Sequence, residues 1–177
     1  GHVLARGDEG GGEVGELAYR GPFTFAGYLK NPEATRQTLD NERFVHSGDM
    51  VRLDEAGNIW IVGRKKDIIR RGGESIPVAE VEAIIWQHPS VAEIAIVAMP
   101  DPRMGEKACA YVRPKDGQSF VFDDMIGFLK TQKIAKFKWP ERLELVDDFQ
   151  RDTRKGAILK RALRDDIAQK LEKERKS

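Results

Sequence analysis

A chain of 177 residues, 40% hydrophobic and 33% charged, is long enough for one cored domain or for a small domain plus part of another. Thirty basic residues against 29 acidic ones leave almost no net charge, which argues against a dedicated nucleic-acid binder. The single cysteine, Cys109, excludes an intrachain disulfide framework, no apolar run approaches membrane-spanning length, and the start lacks the shape of a signal peptide. The expectation is a cytoplasmic protein in a reducing compartment, with Cys109 a buried small hydrophobe.

The first 62 residues read as β-rich. The glycine-rich turn in GDEGGGEVGE precedes a short strand at Glu16–Arg20, and it lacks the lysine and hydroxyl that follow the last glycine of a phosphate-cradling loop. Asn31 is placed to cap a short helix that begins at Pro32. Phe44–Val51 reads as a strand edge interrupted by Gly48. A hairpin follows, from Val51–Leu53 to Asn58–Val62 through a turn at residues 54–57.

Residues 63–82, GRKKDIIRRGGESIPVAEVE, have the pattern of a domain junction. A basic and apolar segment breaks at Gly72-Gly73, where two glycines let the backbone take positive φ and approach a ligand closely. Ser75 is a candidate cap and Pro77 a candidate first helical residue. Val78, Val81, Ile84 and Ile85 then share one face at helical spacing. The helix stops at His88-Pro89, because the residue before a proline resists the helical region.

Beyond it, Val91–Met99 is apolar on both faces and reads as a central strand, with a loop from Met99 to Gly105 and a strand over Ala108–Arg113. Asp123 or Asp124 caps a helix that carries Met125, Ile126 and Leu129 inward. Lys133–Pro140 is a basic loop, Arg142–Val146 a strand, and Ala157 to about Lys173 a terminal helix. The fold class is α+β: the end of a β-rich body over residues 1–65, then a small domain with a central sheet flanked by helices over 66–177.

Asp49 is the notable acid of the first part. A carboxylate at a strand end beside a flexible glycine can accept both hydrogen bonds of a vicinal diol such as a ribose; equally, aspartate commonly closes turns, and spacing alone favours the turn. His46 is similarly open between a structural and a ligand role.

The ordered set GEL, GYLKNPEAT, HSGDMVRLDEAGNIWIVGRKKDIIRRGGE, HPSV, VAMPDPRMGEK and TRKGAILK resembles the adenylate-forming superfamily of acyl- and aryl-CoA synthetases, peptide-synthetase adenylation domains and luciferases. The resemblance runs from about Gly15 to Arg164. It is nearest to the CoA ligases for medium-chain or cyclic acids and to aryl-acid ligases that activate dihydroxybenzoate. It implies that a carboxylate attacks the α-phosphate of ATP, giving an acyl-adenylate and pyrophosphate, and that a thiol then displaces AMP. It also implies Mg2+ travelling with ATP or pyrophosphate, a small carboxylic acid and CoA as substrates, and a C-terminal domain that rotates between the half-reactions. By that likeness the chain starts inside the family's N-terminal body, and no acyl-CoA synthesis is expected from the 177 residues alone. Neither the oligomeric state nor the acid is legible.

Residue by residue, Asp49 resembles the acid that holds the ribose hydroxyls of ATP, and Arg64 the arginine that also reaches that ribose. Lys66 falls at the hinge. Gly72, Gly73 and Glu74 match the loop lining the pantetheine channel. The family's closing motif, T-x-S-G-K-I-L-K, places a lysine on the reacting phosphate, whereas this chain reads Thr153 to Lys160 with Ala157 in the lysine slot and Arg151 where a proline is expected. Three explanations stand: a true loss that cripples adenylation, a two-residue shift that lets Lys155 substitute, or a divergent, inactive enzyme. The ungapped alignment favours the loss. Two other classes remain in view: an interaction module that presents Lys133–Lys138 and Gly72-Gly73 to the phosphopantetheine of a carrier protein, and a nucleic-acid binder using Arg64–Arg71 and Lys136–Trp139, which the near-zero net charge disfavours.

Overall fold

The computed structural model describes residues 14–54 and 56–176, so the expected glycine-rich turn at residues 7–13 lies outside the described residues. The chain divides into two compact units, Gly1–Lys66 and Asp67–Ser177.

In the first unit three antiparallel strands pair in the order β1 (Val14–Tyr19), β2 (Val45–Leu53) and β3 (Ile59–Arg64). Asn31 caps α1 (Pro32–Thr38), its side-chain oxygen accepting the Ala34 N–H at 3.0 Å, and proline opens the helix where its missing N–H costs nothing. Gly48 bends β2 without ending it. With φ at +73° it sits where the pairing with β1 slips between Glu16 and Ala18, a bulge and not the break expected from sequence. The β2–β3 turn is held by Asp54, which accepts from the Asn58 backbone at 2.8 Å and from the Trp60 indole at 2.9 Å. Those donors hold the Asp54 carboxyl down at about 2.

The second unit is a sheet between two helical layers. Strands β4 (Ile68–Arg71), β5 (Glu74–Pro77), β6 (Val91–Asp101) and β7 (Gly105–Pro114) run antiparallel in the order β5-β4-β7-β6, and β8 (Arg142–Leu145) joins β7 in parallel. Helices α2 (Val78–Ile85) and α3 (Phe122–Thr131) cover one face around Val81, Ile85, Ile96, Met125 and Leu129. Helix α4 (Lys160–Lys176) covers the other through Leu163 and Ile167, against Ala95, Val97 and Tyr111.

Several expectations need correction. The strand Val91–Met99 is apolar on both faces, as read, yet it ends the sheet and β7 is the central strand. Helical layers, not neighbouring strands, bury its two faces. It also continues through Pro100 to Asp101, since an end strand has one edge on which a missing N–H is tolerated. Ser75 caps nothing: Glu74–Pro77 is a strand that turns back on β4 through Gly72-Gly73, and Pro77 occupies the cap position of α2. Val121 precedes α3, and Asp124 instead reaches back to accept the Val121 N–H at 3.0 Å. Helix α4 begins at Lys160 and not Ala157, because Ile158 bridges Arg151 and keeps that stretch extended.

Candidate functional site

The expected nucleotide residues meet in the first unit. The β2–β3 register sets Asp49 opposite Arg64, and the Arg64 guanidinium donates to Asp49 Oδ1 at 2.5 Å. Ser47 braces the acid, its hydroxyl accepting the Asp49 backbone N–H at 3.0 Å. A cavity of 330 Å³ opens beside them, lined by Ser47, Gly48, Arg64, Lys65 and Lys66. Asp49 does not itself line this cavity but is joined to it through Arg64, whose guanidinium offsets its charge at Oδ1.

A second cluster gathers around His46, which sequence left open between a structural and a ligand role, and its partners Glu16 and Asp40 were not singled out. His46 Nδ1 faces Glu16 at 3.1 Å and Nε2 faces Asp40 at 3.2 Å, while Lys65 donates to the same Glu16 oxygen at 2.8 Å. The two carboxylates raise the affinity of His46 for a proton. Its structural role thus has an electrostatic side that a lone histidine in sequence could not reveal.

In the second unit, Gly72, Gly73 and Glu74 form the exposed tip of the β4–β5 hairpin. Both glycines have positive φ, at +55° and +95°, and a side chain on Gly72 would collide with the Met104 methyl. Gly72 also donates its N–H to the Met104 carbonyl at 2.9 Å. Nearby, a 720 Å³ cavity is lined by Phe122, Phe137 and Trp139 with Lys130 and Lys136 at its rim.

The segment that carries Lys155 and Ala157 is a closed loop. Asp152 N–H donates to the Ala157 carbonyl and Gly156 N–H to the Asp152 carbonyl, each at 2.8 Å, while Asp152 Oδ1 accepts the N–H groups of Arg154 and Lys155. Gly156 takes φ +65° at the turn. Arg151, in the expected proline position, donates to the Gly156 carbonyl at 3.2 Å and pairs with Glu93, which also binds Arg113. Ala157 and Lys155 are both exposed. A shift of two residues would move Gly156 off the turn and break the Asp152 contacts.

Lys160, just beyond, pairs at 2.8 Å with Glu82 from α2, and the same Glu82 oxygen accepts the Ile96 N–H. Burial pushes the Glu82 carboxyl up while Lys160 pulls it down. This pair was also missed, although the signal was present: Glu82 falls four residues after Val78 and three before Ile85, on the inner face. Cys109 is a core residue as expected, its thiol pushed up to about 12 by burial. Among the described residues no three His, Cys, Asp or Glu side chains cluster to hold a metal, and no helix is long and apolar enough to cross a membrane.

Residues 80–157, spanning α2 to the Arg151–Ala157 loop, match the AMP-binding enzyme C-terminal domain. This stretch belongs to that family. AMP-binding enzymes with similar sequences include the medium-chain fatty-acid–CoA ligase of Escherichia coli K12, 46% identical over 158 residues, covering 89% of this chain and 28% of the relative. The 2,3-dihydroxybenzoate–AMP ligase of Bacillus subtilis 168 is 39% identical over 160 residues, covering 90% of this chain and 29% of its own. Among solved structures, ATP-bound MatB from Rhodopseudomonas palustris superposes with a TM-score of 0.77 at 31% identity, covering 93% of this chain and 33% of that one. The chain thus spans about a third or less of the length of these relatives and corresponds to their C-terminal part. The α+β architecture is that of the C-terminal domains of this superfamily.

Proposed function

We propose that the chain is the C-terminal part of an AMP-forming acyl-CoA synthetase. The full-length enzyme activates a medium-chain or cyclic carboxylic acid and serves fatty-acid metabolism in the cytoplasm. A carboxylate oxygen attacks the α-phosphorus of ATP and pyrophosphate leaves; the CoA thiol then attacks the acyl carbon and AMP leaves. Residues 1–65 are the last β-rich subdomain of the nucleotide-binding body, and 66–177 the mobile C-terminal domain.

The observation that carries this reading is the Asp49–Arg64 pair beside a cavity at the end of the first unit. A free Asp49 oxygen can accept from ribose hydroxyls while Arg64 fixes the acid and donates toward the same sugar. Lys66 is the pivot. Gly72, Gly73 and Glu74 line the pantetheine path, where the missing side chains leave room for a thin, flexible arm. Mg2+ arrives bound to the phosphates of ATP and balances their charge. The 177 residues alone are expected to make no acyl-CoA.

Ala157 is the residue that departs from the pattern. The pinned Asp152–Ala157 loop supports a true loss of the phosphate-contacting lysine over a shifted role for Lys155. Removing one charge contact to a transition state costs about 2.7–4 kcal/mol, so adenylation should be roughly 10²–10³-fold slow while transfer from a supplied acyl-adenylate persists. ATP–pyrophosphate exchange on the full-length enzyme and its Ala157→Lys variant tests this. A gain of that size supports the loss; equal rates would dispose of it.

A second reading rests on the aryl-acid relatives, which include enterobactin synthase component E of Escherichia coli K12 at 43% identity. Here the acid is aromatic and the acceptor is a carrier-protein phosphopantetheine. Exchange driven by salicylate or dihydroxybenzoate but not octanoate, with faster transfer to a carrier protein than to CoA, would select it.

A further inference from the structure

The loop that carries Ala157 is held in two ways, one fixing its shape and the other its place. Its legs are rooted in the core of the second unit: Phe149 is buried before the loop, and Ile158 packs against the same cluster after it. Arg151 and Ile158 pair across the base, through Leu159 N–H to the Gln150 carbonyl and Asp152 N–H to the Ala157 carbonyl, each at 2.8 Å. Asp152 shapes the turn from within, its carbonyl and carboxylate accepting the N–H groups of Gly156, Arg154 and Lys155. None of these contacts ties the turn to the sheet. Arg151 supplies that tie: one guanidinium nitrogen pairs with Glu93 of β6, and the other donates to the Gly156 carbonyl at 3.2 Å. Glu93 is in turn aimed by Arg113, its partner across the β6–β7 ladder, which donates to the second carboxylate oxygen at 2.8 Å.

From this arrangement we propose that Arg151 is a positioning residue: by linking Glu93 on the sheet to the Gly156 carbonyl, it sets where residue 157 is presented. The inference rests on the reading of position 157 in the proposed function. A proline, expected at 151 from the resemblance, would stiffen the chain by fixing φ; here an ion pair supplies the restraint from outside the backbone. Proline also suits the pairing, because the two bonds beside Arg151 use the N–H groups of Asp152 and Leu159 and not its own. Both ends of the guanidinium are engaged within the second unit, so Arg151 belongs to the scaffold and does not stand in for the missing lysine. With side chains 38% and 24% exposed, the Arg151–Glu93 pair is too open to water to add much to global stability. Its effect is on orientation, where a misplacement of about 1 Å can cost a reaction about 10²-fold.

The test begins with backbone 15N relaxation on the 177-residue chain, which needs neither substrate nor activity. Residues 152–157 should have order parameters near about 0.85, falling below about 0.6 in Arg151→Met and again in Glu93→Ala. The melting temperature of Arg151→Met should move by less than about 4 °C. Arg151→Pro should keep the loop ordered, a rescue that loss of a mere surface contact would not show. In the full-length enzyme, Ala157→Lys with Arg151→Met should exchange ATP and pyrophosphate up to about 10²-fold more slowly than Ala157→Lys, with transfer from a supplied acyl-adenylate unchanged. Loop order indifferent to both substitutions, order lost only with global unfolding, or exchange indifferent to Arg151 would each overturn the proposal. Should Ala157→Lys gain no exchange, the reading of position 157 falls by itself, and the relaxation result still decides whether Arg151 holds the loop.

Discussion

The two units are built on opposite economies of burial. Of the described residues whose apolar side chains are buried, the first unit contributes only Val45 and Val51, while the second contributes all the rest, on both faces of one sheet. The first unit instead exposes Phe23, Leu29, Ile59, Trp60 and Ile61, the last at 71%. A three-stranded sheet with one thin core is marginal by itself, whereas a sheet covered by helices on both faces is a free-standing domain. Stability therefore resides in one unit, and the candidate nucleotide residues in the other.

The largest expected effect follows from that contrast. Leu129→Ala, at a fully buried position, should destabilise the second unit by about 2–5 kcal/mol, while Ile61→Ala in the first should stay within about 0.5 kcal/mol. Thermal unfolding by circular dichroism compares them; similar shifts would erase the distinction.

Next comes the Glu82–Lys160 pair that joins α2, β6 and the start of α4. Lys160→Met strands a half-buried carboxylate and should cost about 3 kcal/mol near pH 7. The sign of the pH dependence is fixed by the direction of the shift. A folded-state carboxyl held above its unfolded value binds protons more tightly when folded. Stability should thus fall as pH rises from the ordinary carboxylate range through the raised value, more steeply in the variant. Urea titrations between pH 4 and 8 measure it, and a loss that did not recover on acidification would refute the assignment.

The smallest effect sharpens the first unit. His46 gains proton affinity from Glu16 and Asp40, so its contribution is fully present below the unfolded histidine value and is lost as pH rises through the raised folded value. For a ring this exposed the amount is at most ~1 kcal/mol. His46→Gln should flatten the pH dependence of the first unit between pH 6 and 8, read from amide exchange in β1 and β2. An unchanged profile would remove His46 from the account.

Legibility in the sequence followed the range of the forces. Asn31-Pro32 announced α1, the paired glycines announced a break after Arg71 though not the hairpin they close, and the apolar period of Val78, Val81 and Ile85 announced α2, because caps, breaks and amphipathic faces are settled by neighbours a few residues apart. The family resemblance was legible for the same reason, as short ordered strings. Pairing was not. That Glu74–Pro77 would be a strand depended on β4 folding back to accept it. The place of β6 at the end of the sheet depended on α2 and α4 covering both its faces.

By itself, then, the sequence determined the kind of elements, the change from a β-rich to a mixed segment near Lys66, and the membership of residues 80–157 in the AMP-binding C-terminal family. Only the tertiary structure decided which charges meet: Asp49 with Arg64, Glu82 with Lys160, Lys65 with Glu16 and Asp67 with Arg164. The physical reason is distance along the chain. Contacts between residues 15 to 97 positions apart depend on strand register and helix docking, which no local pattern encodes.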